Sequence, residues 1–409
     1  MSTRVSVVLP TRNRCAETLA TIQTVLSSTH DDLVLHVFDN NSHDETRDAV
    51  LSLEDERIDY HRSETTLAVT DSFEAAYSCA QGSWVTGLGA DDGLTSIAIQ
   101  EMLEMALANQ TRAVSTAHAS FHWPGVTSEA EGRLHVRAVA PDTLLLSRNE
   151  VRRVLANKAK FQDLPTAYKS GMVHHSVLEK IRRRYGRLFN SVTPDVFLGF
   201  AVAHATPSFF RSGRPLTISG TSRGSTGWST LGGGDDSSAM EEFYSLSRDS
   251  RVTLDARFRC IGADLPRHIL LMQLEAYLKV MPAPRGIERA LASPMFQLGL
   301  LLSDSRRLSQ ETLQWAKEYA EAHGSSIGSR ARWIAARAIS REQAWRRARE
   351  KTRQKQRTPK AINLAPESAS DLVRLARTHA GTTLFPAPPT VAQAARLLDQ
   401  ALAKDLASR

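Results

Sequence analysis

Val5-Ser-Val-Val-Leu9 runs directly into Pro10-Thr-Arg-Asn-Arg14, so an apolar run of strand length ends on a polar turn that opens a helix. The same pattern recurs twice. Leu33 to Phe38 ends on Asp39-Asn-Asn-Ser-His-Asp44, and Ser83 to Leu88 ends on Gly89-Ala-Asp-Asp-Gly93. Around these runs, helical periods fall at about 15–28, 44–53, 70–80 and 95–109, with a short strand near Ile58-Asp-Tyr60. Strand and helix alternating in this order predict a Rossmann-like α/β domain, a mostly parallel sheet flanked by helices. The carboxyl ends of such strands form the edge where ligands bind, and each polar cluster sits at one of them.

The order of the three clusters resembles the family 2 glycosyltransferases, enzymes of the GT-A fold that move a sugar from a nucleoside diphosphate to an acceptor. The resemblance covers roughly the first half of the chain. It implies nucleotide contacts on Pro10, Thr11 and Arg12, with the backbone amides and the Arg12 and Arg14 guanidinium groups facing a phosphate or ribose at the helix start. It implies that Asp39 accepts the uracil N3–H, which favours a UDP-linked donor. Asp71 and Ser72 would lie against donor hydroxyls, and Ala90 and Asp91 would lie within the donor site. Asp91 would hold Mn²⁺ or Mg²⁺ on the diphosphate, with Asp92 a second metal residue or a partner of the sugar, the two roles being open to exchange. Gly89 stands where the family commonly has an Asp.

The resemblance also implies an acidic base at the start of a helix facing the acceptor, and the best match is Asp195 in Pro194-Asp-Val-Phe-Leu-Gly199, with Asp163 as the alternative. The helix dipole would lower the Asp195 pKa, and apolar neighbours such as Phe197 and Phe200 would raise it again. His204, with His174 and His175 behind it, is an outside candidate for a third metal ligand. Plain structural readings stand beside these: Pro10 to Arg14 and Asp39 as turns, and Asp44, Asp71, Ser72 and Asp195 as helix caps. Two rival classes are a sugar-1-phosphate nucleotidyltransferase, which would carry a glycine-rich loop where Pro10 to Arg14 has no glycine, and a degenerate GT-A scaffold or membrane adaptor, for which Gly89 speaks.

Later in the chain, Val114 to Trp123 is expected as a strand, Pro141 to Leu155 and Val173 to Tyr185 as helices, Val196 to His204 as helix or strand, and Leu216 to Ile218 as a last strand. The GT-A domain is expected over 1–228, with Arg223 and Trp228 as a lid or part of a linker, a Gly-rich linker over 229–237 and an α-helical C-terminal domain over 238–409. Apolar stripes mark two of its helices, one through Leu270, Leu271, Leu274, Tyr277 and Leu278 and one from Val391 to Leu406.

Hydrophobic residues make up 42% of the 409, enough for folded cores. The three cysteines are scattered, which supports neither a disulfide framework nor a zinc cluster and fits a reducing cytosol. No charged-then-apolar leader opens the sequence, and no apolar run reaches the roughly 18 residues of a membrane span. The net charge of +7 is concentrated in one stretch, Arg330 to Lys360. There Trp333, Ile334 and Trp345 interleave with arginines in a basic helix expected over 330–357, readable as a solvated face or as peripheral contact with an anionic membrane. No recognition motif for nucleic acid accompanies it, so no nucleic-acid partner is expected. The Gln-X-X-Arg-Trp signature of processive synthases is absent. Taken with these features, the resemblance implies a cytoplasmic, inverting, metal-dependent, non-processive glycosyltransferase of glycan or polysaccharide biosynthesis, acting from a nucleotide sugar on a glycan or lipid-linked acceptor.

Overall fold

The computed structural model describes residues 3–126, 133–136, 140–156, 158–225, 250–258, 269–281, 383–386 and 390–407, with a few isolated positions between 243 and 322. The first strand, β1 (Val5–Thr11), is buried at every position, as a strand covered on both faces must be. It runs two residues further than the apolar pattern suggests, taking in Pro10 and Thr11. After it come α1 (Cys15–Leu26), β2 (Leu33–Asp39), α2 (Thr46–Leu51), β3 (Ile58–Arg62), α3 (Val69–Ser78), β4 (Trp84–Gly87), β5 (Gly93–Leu94) and α4 (Ala98–Ala108). Within this half the strands lie in the order β4-β1-β2-β3, all parallel.

The second half makes the sheet mixed. It contains β6 (Ala113–His122), β7 (Arg133–Val136), β8 (Thr143–Leu146), α5 (Ser147–Leu155), a 3₁₀ turn (Phe161–Asp163), β9 (Gly171–His174), α6 (His175–Tyr185), α7 (Pro194–Ala205) and β10 (Ser208–Thr221). β9 is inserted antiparallel between β4 and β6, and β10 runs parallel to β6 while pairing antiparallel with β5 and β8. Local periodicity carried no sign of this antiparallel half, because antiparallel pairing is set by partners far away in sequence. Three local expectations change with it. Pro141 to Leu155 is a strand and then a helix, Val173 to Tyr185 likewise starts as a strand, and the last strand spans 14 residues instead of three.

The contacts divide the chain into two compact units, residues 1–252 with 363–409, and residues 253–362. This differs from the expected division at the far end of the chain. The helix α9 (Val391–Ala407) belongs to the first unit, where its buried Val391, Ala394, Ala395 and Leu398 join the core of β1, α1 and α4. Asp399 accepts the Ser96 N–H at 2.8 Å just ahead of α4, and β11 (Thr383–Pro386) extends the sheet beyond β7. In the second unit, α8 (Ile269–Val280) buries Leu271, Leu274 and Leu278 of the expected stripe and also Gln273 and Glu275, so it is covered over more than one face. The Glu275 carboxylate accepts the Asp255 N–H at 3.3 Å. The proposed 229–237 linker, Trp228 and the basic helix 330–357 lie outside the described residues.

Candidate active site

The turn after β4 is closed by its own side chains. Asp92 Oδ2 accepts the Gly89 N–H at 2.7 Å and Asp92 Oδ1 accepts the Gly220 N–H at 2.9 Å, so two amides hold a carboxylate with no solvent access. Asp91 Oδ2 accepts both the hydroxyl and the N–H of Ser222, at 2.7 and 3.2 Å. The Asp91 carbonyl accepts the Trp123 indole N–H at 3.0 Å. Gly220 is required here: a Cβ on it would lie 1.7 Å from that carbonyl oxygen. Gly89 fits closely too: a Cβ there would lie 2.9 Å from Asp92 Oδ2 and 3.0 Å from the Tyr168 hydroxyl, so both side-chain ends would have to shift. A side chain at this position would press on the carboxylate that folds back onto the turn. Ala90, beside it, is buried and gives its carbonyl to the Thr21 hydroxyl at 2.8 Å.

Two cations flank the pair. Arg14 Nη1 lies 3.9 Å from Asp91 Oδ2, and Lys169 Nζ lies 3.3 Å from Asp92 Oδ1. Burial disfavours the Asp92 charge most, the lysine pulls the other way and Asp91 adds repulsion, leaving its pKa raised to about 6. For Lys169 burial works against the charge, but the carboxylates of Asp92, Asp91 and Asp195 outweigh it and hold its pKa above the ordinary lysine value. Asp195 stands in the first turn of α7 behind Pro194. Burial raises its pKa, and Lys169 and the first-turn amides only partly reverse this, so the apolar surroundings expected around Phe197 and Phe200 prevail over the helix dipole. Lys169 is the residue the motifs did not reveal. It lies in Thr166-Ala-Tyr-Lys-Ser170, which carries no signature, and reaches Asp92 only through the inserted β9.

Asp39, at the end of β2, is fully buried. Its Oδ1 accepts the Ser42 N–H at 2.7 Å and its Oδ2 accepts the Tyr60 hydroxyl at 2.6 Å, with Arg62 Nη1 at 3.9 Å. The carboxylate thus builds its own turn before it meets any ligand. Pro10 and Thr11 are likewise buried in β1, and the Thr11 hydroxyl pairs with that of Thr18 at 2.6 Å. At the start of α1 one amide is already taken. Asp44 Oδ2 accepts the Cys15 N–H at 3.1 Å while its Oδ1 accepts the N–H and hydroxyl of Thr46, so one carboxylate caps the first turns of α1 and α2. Arg12 is partly buried beside it.

Several expected residues are engaged elsewhere. Asp71 receives Arg187 at 2.7 Å and the Arg251 N–H at 3.2 Å, and neighbouring Glu74 receives the Leu188 and Phe189 amides. The pair ties α3 to the segment leading into α7. Ser72 is buried within α3. Asp163 accepts the Lys160 N–H at 2.7 Å and so closes the 3₁₀ turn. His174 caps α6, and His204 ends α7, about 13 Å along the helix from Asp195. Arg223 packs against Gly125.

A divalent ion fits this set in one way. Asp91 Oδ1 has no hydrogen-bond partner among the described residues, and a Mg²⁺-type site needs only one or two carboxylates when substrate phosphates and water complete it. Elsewhere in the unit, His36, Asp59 and His61 bring their ligand atoms within 4.8 Å of one another. His36 Nε2 there lies 3.1 Å from Ser6 Oγ, whose lone pairs already accept the Gln81 and Gly82 amides. The serine proton must then go to Nε2, which leaves the His36 proton on Nδ1 toward Asp59 at 3.0 Å. With Nδ1 protonated, His36 pairs with Asp59 by a hydrogen bond, and an ion bound there would have to displace that proton.

A Rossmann-like half-sheet with paired carboxylates after β4, an acid after β2 and an antiparallel second half is the architecture of a GT-A domain. Residues 6–181 match the model of the family described as glycosyl transferase family 2, which supports glycosyl transfer as the activity. Solved structures of similar fold include S. aureus TarS 1–349 in complex with UDP-GlcNAc, with 13% sequence identity, covering 84% of this chain and 92% of that one at a TM-score of 0.47. The same TarS fragment in complex with UDP has 12% identity and covers the same shares at a TM-score of 0.45. No curated protein sequence matches the chain.

Proposed function

We propose that the chain is an inverting, non-processive glycosyltransferase that takes its sugar from a UDP-linked donor and passes it to a glycan or lipid-linked acceptor. The observation that carries this reading is the meeting of Asp91, Asp92, Lys169 and Asp195 beyond the carboxyl end of β4, within a family 2 domain. Asp39 would select uracil at the end of β2, and Arg14 would approach the phosphates across Asp91. Asp91 Oδ1 would hold Mn²⁺ or Mg²⁺, whose chemistry is to neutralise the departing diphosphate. Asp195, its pKa raised by burial, would take the proton of the acceptor hydroxyl as that oxygen attacks the anomeric carbon. Attack from the face opposite the diphosphate inverts the centre.

Among the described residues no helix is long and apolar enough to cross a membrane, and peripheral contact through 330–357 remains part of the proposal for a lipid-linked acceptor. The test is a panel of UDP-, GDP- and dTDP-sugars, with and without Mn²⁺. Binding is read by thermal shift and the product's anomeric configuration by NMR. Stabilisation by UDP-sugars alone and an inverted product are expected. Equal stabilisation by all three classes, or a retained configuration, overturns the reading.

A further inference from the structure

Lys169 is placed with more care than a counter-ion needs. Its backbone is in the left-handed region at φ +57°, which side-chain-bearing residues adopt uncommonly. The bonds that hold it there fall on Lys169 and two residues close to it. The Ala167 carbonyl accepts the buried Tyr77 hydroxyl at 2.6 Å, the Lys169 N–H donates to the Gly87 carbonyl at 2.6 Å, and the Ser170 carbonyl accepts the Thr116 N–H at 2.7 Å. Gly87 makes this possible, since a Cβ there would overlap the Tyr77 hydroxyl at 2.0 Å.

The ammonium carries three protons. Asp92 Oδ1 at 3.3 Å and Ser219 Oγ at 3.5 Å take two, and among the described residues no further oxygen takes the third. Asp92 has both oxygens bonded to amides already, and the lysine side chain keeps 32% of its surface exposed. Across the turn, Arg14 stands in the same relation to Asp91. Each carboxylate therefore presents one cation at the strand end, where the donor reading puts the diphosphate.

We infer that Lys169, with Arg14 opposite, binds the donor diphosphate directly, so that a nucleoside diphosphate stays bound when divalent cations are removed. This rests on the reading of the site as a UDP-sugar site.

The experiment titrates UDP and uridine into wild type, Lys169→Met and Lys169→Arg, in Mn²⁺ and in EDTA, by calorimetry. Wild type should bind UDP in EDTA within about 30-fold of its affinity in Mn²⁺, and Lys169→Met should lose at least about tenfold more in EDTA. Its uridine affinity should stay within about twofold, and Lys169→Arg should recover most of the UDP loss. Should Lys169→Met lose its native circular dichroism, Lys169→Met with Asp92→Asn removes the uncompensated carboxylate and the same comparison decides. The inference is overturned if EDTA abolishes wild-type UDP binding, if Lys169→Met binds UDP in EDTA as wild type does, or if it loses uridine and UDP equally. Failure of wild type to bind UDP even in Mn²⁺ removes the donor reading itself, an outcome distinct from these three.

Discussion

Gly89 and Asp92 bond to each other in both directions: the Gly89 N–H donates to Asp92 Oδ2 at 2.7 Å, and the Asp92 N–H donates to the Gly89 carbonyl at 3.1 Å. Asp92 is in this way part of the turn's framework, and Asp91 is left with the one carboxylate oxygen of the pair that nothing in the described structure engages. Restoring the family's acid at position 89 is therefore expected to do harm. Gly89→Asp and Gly89→Ala should each lose about 1–3 kcal/mol of stability in urea unfolding, because the new Cβ meets Asp92 and Tyr168 in a packed turn. A Gly89→Asp protein as stable as wild type and more active would show that the turn is not closed in this way.

Asp91→Asn keeps the Ser222 contact in shape but removes the negative charge from the free oxygen. Transfer should fall by roughly 100- to 1000-fold, corresponding to several kcal/mol of lost charge neutralisation, with the unfolding midpoint nearly unchanged. Steady-state kinetics across a Mn²⁺ series checks this. Wild-type kcat in the variant, or no effect of EDTA on the native enzyme, rules Asp91 out as a metal ligand.

Asp39 holds its own turn and, in the proposed reading, would also hold uracil, two duties that variants separate. Tyr60→Phe strips one donor from a buried carboxylate and should cost about 1–3 kcal/mol of stability while leaving UDP affinity within a few-fold. Asp39→Ala should lose both stability and UDP affinity. Denaturant unfolding beside UDP titration reads the two separately, and unchanged UDP affinity in Asp39→Ala would take this residue out of the donor site.

The Asp195 pKa is raised in the folded protein, so a base at this position is protonated at a higher pH than an ordinary Asp of about 3.9. The acid limb of the kcat profile should accordingly lie above that value, activity falling as pH falls through it. Lys169 holds the Asp195 pKa down, so Lys169→Met should move the limb to still higher pH. A limb at the ordinary Asp value, or one that Lys169→Met leaves in place, argues that Asp195 is a helix-start residue with no part in proton transfer.

Much of the first hundred residues was legible from sequence because its determinants are local. Apolar runs of strand length ending at Leu9, Phe38 and Leu88 bury in a parallel sheet whatever follows, and the polar residues after them have to lie at the strand ends. That reasoning placed Asp39, Asp91 and Asp92 at strand ends, and the resemblance placed Asp195 at a helix start, where the structure has them. It could not say what each carboxylate touches. Ser222 and Gly220 reach Asp91 and Asp92 from about 130 residues away, and Lys169 from 77, through an antiparallel strand whose partners no local period reveals. The return of α9 to the core of the first unit is of the same kind, since an apolar stripe announces that a helix will be covered but not by which surface. Backbone hydrogen bonding and hydrophobic period act over a few residues and can be read in order along the chain. The pairing of charges in the site and the left-handed backbone of Lys169 arise only when distant segments compete for the same space.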